Sequence, residues 1–417
     1  MNPYVRISLT TALAIAGGTL AFGPSAAQQQ AAPVARYVMN VSTNSGMAGM
    51  MGGGAGNMMS MMFGGGANRE SHSVELRLGS SRTATGTPQA DHFPPADAKM
   101  GKALPLTSPT PGTPGRTEEA ERPRQQFERP KGRLLIFWGC EAKAGPGQPV
   151  VIDFAKVAAG QWPANLFSAR VPTDWGPSPS NSRTYGSWPN GKGGQQPGRG
   201  ASLIGEHRVA GNYTPDIRFN LTQDFMPGIF GRASEQAGGA TNLSWNAVTG
   251  ATGYYAWAFG GKDMGGGSGD MVWWSSSAAR EFGGGLWDWL PPATVRRLVA
   301  DKVVLPPAQT SCTIPAEVRA AAPQFLMSNL YAYGPEANFA YPPRPANPAT
   351  PWKPEWTTRV RYRSMTSFMI GGPDMGNMGG AAAQGSSDQP QPRKKCKKGG
   401  LGGLGGMLGS VLGGGDC

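Results

Sequence analysis

Few residues in this sequence are suited to acid–base catalysis, because its 417 residues include only three histidines. His207 follows Ser202, but no Gly-x-Ser-x-Gly turn surrounds that serine as it would in an α/β-hydrolase. His72 begins a strand-like run, and His92 lies in a proline-rich stretch. We therefore expect His207 to be a surface or hydrogen-bonded structural histidine rather than a general base.

Carboxylates and tryptophans cluster between residues 263 and 289 and raise two chemical hypotheses. Two carboxylates across a groove would form a carbohydrate-active enzyme site, whereas aromatic rings alone could stack on the flat faces of sugars. Tryptophan at strand spacing is also typical of a hydrophobic core, which is the interpretation that burial preferences favour. The candidate carboxylates are Asp263, Asp270, Glu281 and Asp288, and the candidate ligand-binding tryptophans are Trp273, Trp274, Trp287 and Trp289.

A run of methionines near the N-terminus suggests a metal site as an alternative. Soft thioether sulfurs suit Cu(I), so the run is consistent with a periplasmic copper-binding protein. Methionine-rich loops also serve as adaptable hydrophobic contact surfaces without any cofactor. The methionines concerned are Met47, Met50, Met51, Met58, Met59, Met61 and Met62.

The N-terminal residues 1–27 have the features of a secretory signal peptide. Arg6 precedes an apolar run that ends at Phe22, and small residues lie immediately before Gln28. We expect export to the periplasm, the outer cell surface or the extracellular space.

Four cysteines in an exported chain are expected to pair, and four cysteines allow three connectivities. Cys140 and Cys312 lie in strand-like parts of the expected core, whereas Cys396 and Cys417 lie in the C-terminal tail. We favour pairing within each group.

Residues 242–260, NLSWNAVTGATGYYAWAFG, contain two aromatic strand-like runs joined by a turn-forming connector. The Leu-x-Trp of the first run and the Gly-Ala-x-Gly-Tyr before the second resemble the second and third strands of fibronectin type III and related immunoglobulin-like sandwiches. The resemblance covers about twenty of the 417 residues. It implies a sandwich of seven strands, which we count from Asp216. We expect the two runs to lie side by side in one sheet.

The sequence as a whole predicts a mainly β protein interrupted by low-complexity segments, because glycine contributes 63 residues and proline 38. Segments with little large apolar surface cannot offset the entropy lost on ordering. The expected organisation is two strands around a Gly/Met-rich loop at 34–79, a disordered Pro-rich linker at 80–131, a β-rich region at 132–215 with an exposed loop at 176–200, a fibronectin III-like sandwich at 216–370, and a disordered basic Gly-rich tail at 371–417.

The formal net charge of +12 points to anionic partners. The densest basic run lies at 393–398 and has no aromatic residue that could stack on a base, so we do not expect nucleic acid as a partner. Envelope polysaccharide, an anionic membrane surface or another envelope protein are the expected partners. We expect a non-enzymatic binding or structural component of the bacterial cell envelope or exterior, without a catalytic site.

Overall fold

The computed structural model describes residues 32–51, 70–108, 132–161, 171, 176–262, 269–347 and 349–371. These residues form a mainly β protein. The strands are β1 Ala35–Ser45, β2 Ser71–Ser80, β3 Ala90–Phe93, β4 Leu104–Pro105, β5 Arg133–Trp138, β6 Val150–Asp153, β7 Thr184–Trp188, β8 Gly205–Gly211, β9 Ile217–Leu221, β10 Gly231–Glu235, β11 Thr241–Trp245, β12 Gly253–Lys262, β13 Asp270–Ser275, β14 Ser311–Ile314, β15 Phe325–Tyr341 and β16 Trp356–Ile370. The helices are α1 Gly46–Met51, α2 Phe154–Ala158, α3 Pro292–Ala300 and α4 Ala316–Ala321.

One large sheet of nine strands organises the molecule, in the order β6-β5-β13-β12-β15-β16-β1-β2-β7. β1 runs parallel to β16 and β5 runs parallel to β13, while the other neighbours are antiparallel. Its central strands come from the second half of the chain, and strands from the first half extend it at both ends. β5 pairs with the outer edge of β13, and β1 pairs with the outer edge of β16, so neither edge of the β13-β12-β15-β16 group is left unpaired.

Two smaller sheets cover one face of the large sheet. One has the order β10-β11-β14 and the other β4-β3-β8-β9. Alternate residues of the large sheet share a single buried cluster with residues of both smaller sheets, as expected for strands with one apolar face. Members of this cluster include Tyr37, Met39, Tyr254, Trp274 and Tyr362 from the large sheet, Val209 and Phe219 from the four-stranded sheet, and Leu243 and Ile314 from the three-stranded sheet.

The opposite face of the large sheet carries a second buried cluster. Aromatic side chains of β12, β13 and β15 pack there beneath α3 and the segment that precedes it. Pro292 begins α3, where the missing amide hydrogen has no cost, and Val295 and Leu298 face the sheet. The aromatic members are Tyr255, Trp257, Trp273, Tyr331 and Tyr333.

Several local predictions agree with the structure. The sequence predicts two strands of one sheet within 34–79, a hairpin formed by residues 133–140 and 149–154, and a helix that starts at Pro291-Pro292. β1 and β2 are neighbours in the large sheet, β5 and β6 form the hairpin, and α3 begins at Pro292. No helix among the described residues has the length and apolar character needed to cross a bilayer. The predicted signal peptide and all but the first residue of the predicted tail lie outside the described residues.

The expected pairing of the two aromatic runs is wrong. β11 pairs with β10 and β14, whereas β12 pairs with β13 and β15 in the large sheet. The connector crosses from one layer to the other, and the rings of Trp245 and Tyr254 meet across the interior with centroids 5.6 Å apart. β11 buries one face in the core between the layers, with Leu243 and Trp245. β12 is buried on both faces: Tyr254 points into that core, whereas Tyr255 and Trp257 belong to the second cluster on the other side of the large sheet.

The strand counted first in the sandwich was also misplaced. Ile217, Phe219 and Leu221 do alternate inward, but their strand, β9, pairs with β8 in the four-stranded sheet. The strand that begins the three-stranded sheet is β10, whose residues are mostly exposed and give no alternating apolar signal.

The predicted linker at 80–131 is wrong as far as residue 108. This part contains β3 and β4, and of its large apolar side chains Met100, Leu104 and Leu106 are buried while Phe93 is half-buried. The predicted exposed loop at 176–200 contains β7, with Trp188 in the core. Residues 109–131 lie outside the described ranges. The predicted boundary at residue 216 also fails to separate sheets, since β5, β6 and β7 belong to the same sheet as β12.

Candidate binding surface

The four tryptophans predicted to bind a ligand do not form an exposed platform. Trp274 is 0% exposed, Trp273 4% and Trp289 8%, while Trp287 is half-buried. The rings of Trp273 and Trp287 pack against each other and against Trp257, at centroid distances of 4.7 to 5.5 Å. These side chains fill the core, so the prediction of a solvent-facing tryptophan surface is wrong for this group.

Trp289 illustrates why these rings are unavailable to a sugar. The Arg363 guanidinium lies 3.4 Å from the centre of its ring, in the geometry of a cation–π contact. The indole N–H of Trp289 donates to the Val41 carbonyl at 3.2 Å. These contacts hold the ring inside the core, and its 8% exposure leaves no face open to a sugar.

The carboxylates near these tryptophans have structural partners. Asp270 accepts a hydrogen bond from Arg133 Nε at 3.0 Å, and this contact holds the pKa of the Asp270 carboxyl below its usual value. Asp288 accepts from the Trp289 backbone N–H at 2.7 Å, and Glu281 is buried. Asp263 lies outside the described residues. An Asp270 that stays ionised is unsuited to act as the acid of a glycosidase.

His207 and His92 belong to a buried hydrogen-bond chain. Tyr37 Oη lies 2.9 Å from His92 Nδ1, His92 Nε2 lies 3.2 Å from His207 Nδ1, and His207 Nε2 lies 2.7 Å from the Leu203 carbonyl oxygen. The carbonyl can only accept, so His207 Nε2 carries a hydrogen and its Nδ1 accepts from His92. His92 Nδ1 then accepts from the Tyr37 hydroxyl. One donor direction therefore fixes both tautomers.

Burial keeps this chain, which we name the histidine relay, uncharged. It lowers the pKa of His207 to about 4 and lowers the pKa of His92 well below its usual value, with the neighbouring His207 as a further cause. It also raises the pKa of the Tyr37 hydroxyl. The relay joins β1 of the large sheet to β3 and β8 of the four-stranded sheet. This agrees with a structural role for His207 and corrects the placement of His92 in a disordered segment.

Most of the methionines proposed for copper cannot be placed. Met47 lies in α1 and is half-buried. The side chains of Met50 and Met51 and all of Met58, Met59, Met61 and Met62 lie outside the described part of the chain. Within the described residues, no group of three or more His, Cys, Asp or Glu side chains is arranged to hold a metal ion.

Cys140 and Cys312 form a disulfide in the structure, with their Cα atoms 4.8 Å apart. Cys140 follows β5 in the large sheet and Cys312 lies on β14 in the three-stranded sheet. The bond therefore ties the two layers together. Cys396 and Cys417 lie outside the described residues.

The exposed aromatic surface lies instead at the end of the long β15–β16 hairpin. We name residues 342–355 the tip loop. Tyr341, the last residue of β15, is 55% exposed, more than any other large hydrophobic side chain that the structure describes. Its ring stacks on the buried Trp356 at 6.4 Å and 19°. Trp352 lies within the loop and is half-buried.

Local contacts order the described residues of the tip loop, 342–347 and 349–355. The Glu355 N–H donates to the Tyr341 carbonyl at 2.6 Å and closes the base of the loop. The indole N–H of Trp352 donates to the Pro342 carbonyl at 2.9 Å. Asn347 Oδ1 accepts from the Ala349 N–H at 2.9 Å, a side-chain turn at the apex.

The composition of the tip loop also limits its freedom. Six of its fourteen residues are proline, which fixes φ and reduces the entropy of the unbound loop. Compact surface loops whose ends meet and whose own side chains pack are frequently functional. Aromatic side chains presented on a rigid loop lose little entropy on binding, so this surface is suited to recognition rather than to chemistry.

The tip loop was not among the sites predicted from sequence, although a signal for it exists. The run PPRPANPATPWKPEW between two strand patterns combines prolines with tryptophans and cations. Proline confines such a run to turns and sheet edges, so Trp352 within it is expected nearer to solvent than a tryptophan within a strand. Trp356, at the end of the run, begins β16 and is buried. Neither a protein-family model nor a curated protein matches the sequence.

Proposed function

We propose that this protein is an exported, non-enzymatic binding or structural component of the bacterial cell envelope or exterior, and that it binds envelope polysaccharide through the tip loop. The single observation that carries the proposal is the burial of the predicted tryptophans together with the exposure of Tyr341, whose neighbour Pro342 accepts the hydrogen bond from Trp352. Aromatic rings offer sugars a flat apolar face, and their polar tips remain hydrated.

The resemblance to fibronectin type III domains is part of this proposal. Strands β10 to β16 divide into β10-β11-β14 and β13-β12-β15-β16. In an immunoglobulin-like sandwich the first, second and fifth strands share one sheet, while the third, sixth and seventh share the other. The order here supports such a module, with β13 as an added strand beside β12. The tip loop then connects the last two strands, a position at which related sandwiches carry binding loops.

The proposal assigns no catalytic role to His207 or Asp270. His207 is buried in the histidine relay, and Asp270 is held by Arg133. The arrangement supports a scaffold whose buried polar groups specify the packing of its layers and whose recognition lies on a loop.

Replacing Trp352 by alanine is expected to lower the affinity for soluble bacterial envelope polysaccharide about tenfold or more. Partly buried tryptophans commonly contribute most of the binding energy of a recognition surface. Affinity electrophoresis through gels cast with the polysaccharide measures the effect. The unfolding midpoint should change little, because Trp352 contributes to neither of the buried clusters.

The matched control is Phe93→Ala. Phe93 is also a half-buried aromatic with an arginine over its ring, Arg208 at 5.4 Å, but it belongs to β3. It should leave the mobility shift unchanged. Equal losses in both variants, or no retardation of the unaltered protein by envelope polysaccharide, would contradict the proposal.

A further inference from the structure

We infer that the tip loop selects acidic sugar polymers, with its cations bonding to uronic-acid carboxylates while its aromatic rings contact the sugar faces. The inference rests on the proposed function and adds the chemical class of the ligand.

The cations of the tip loop are Arg344 and Lys353, and both are exposed. Neither forms an ion pair with any residue in the described ranges. Glu355 is the loop's one carboxylate, and it is engaged by Arg82 at 3.6 Å. The loop therefore presents two positive charges that nothing on its own surface neutralises.

The guanidinium of Arg344 lies near the Trp352 ring, so a positive charge and an aromatic face are presented side by side. The guanidinium carbon lies 5.6 Å from the centre of the Trp352 ring. A planar guanidinium beside an aromatic ring can bond a carboxylate through two parallel N–H groups while the neighbouring ring contacts the same sugar. The hydrogen bond from Trp352 to Pro342 fixes the ring, so the pair is arranged before the ligand arrives.

Other anionic macromolecules fit this surface less well. Nucleic acid binding derives its affinity from many simultaneous phosphate contacts, and the loop offers two cations. Stable attachment to a membrane needs a broad apolar face or several inserted side chains, whereas Tyr341 is the one strongly exposed aromatic ring at the tip. Two cations beside aromatic rings match a short stretch of acidic sugars.

The test compares two forms of one polymer: polygalacturonate and the same polymer with its carboxyls reduced to alcohols. Isothermal titration of the full-length mature protein at low ionic strength should show at least tenfold tighter binding to the acidic form. The double variant Arg344→Gln, Lys353→Gln should lose about tenfold in affinity for the acidic form and none for the reduced form. The salt dependence of binding should become shallower in that variant.

A second double variant, Lys102→Gln with Lys192→Gln, controls for net charge. Both lysines are exposed and lie in loops near β4 and β7, so this variant should retain the preference. Equal affinity for both polymers would overturn the acidic selectivity but leave the proposed function intact. Binding to neither polymer would count against both. Tighter binding to anionic vesicles or to an oligonucleotide than to polygalacturonate would overturn the inference.

Discussion

Removing the disulfide by the double substitution Cys140→Ala, Cys312→Ala is expected to lower the free energy of unfolding by about 5 kcal/mol. The bond closes a loop with a sequence separation of 172 residues. In the chain-entropy treatment, opening a loop of that length gives the unfolded chain roughly this much additional freedom. Denaturant titration in non-reducing buffer measures the loss.

The tail cysteines provide the control for this experiment. The variant Cys396→Ala, Cys417→Ala also removes two cysteines, but it leaves the disulfide between the layers intact. It should unfold at the same denaturant concentration as the parent protein. A loss below about 1 kcal/mol in the Cys140 and Cys312 variant would show that the bond adds little to the packing of the two sheets.

Acidification is expected to destabilise the fold through the histidine relay. The unfolded chain protonates its histidines near pH 6.5, whereas burial holds the pKa of His207 at about 4 and that of His92 well below 6.5. Below about pH 7 the unfolded state therefore binds more protons than the folded state. The free energy of unfolding, which is at its full value above about pH 7, decreases as the pH falls toward the folded-state pKa of His207. Between pH 7 and 4.5 His207 alone accounts for about 2 to 3 kcal/mol, and His92 adds to this loss.

The relay prediction has a structural signature as well as a thermodynamic one. Nitrogen-15 shifts of the folded protein at pH 5.5 should show His92 and His207 still neutral, each with its hydrogen on Nε2. The variant His72→Gln removes the histidine outside the relay and should retain most of the pH dependence. Titration of His207 near pH 6.5 in the folded protein would mean that the hydrogen-bond direction we assign is incorrect.

Local patterns predicted much of the secondary structure because they depend on neighbouring residues. Alternating apolar side chains predicted β2 and β9, and the paired prolines at 291 and 292 predicted α3. β10 gave no such signal, because its side chains face water on both sides. β3 was not predicted because one of its two buried side chains is His92. A histidine is usually expected at the surface, and His92 is buried because its ring nitrogens are hydrogen-bonded to Tyr37 and His207.

Sheet partners could not be predicted from the same patterns. β11 has one buried face and β12 has two, but the apolar pattern of neither strand says whether the two strands share a sheet or face each other. The same limit applies to the candidate site. Trp273 and Trp352 are the same residue type, and only the layers packed over Trp273 separate a core ring from a surface ring.

The parallel pairing of β1 with β16 means that the large sheet can be completed only after both ends of the described chain have been made. Asn40 and its partner Arg361 are separated by 321 positions. During synthesis from the N-terminus, β1 has no β16 beside it until almost all of the described sequence has emerged. Contacts of such high sequence separation slow folding. During this interval β1 can pair with β2, but its other edge stays open and is the site at which aggregation would begin.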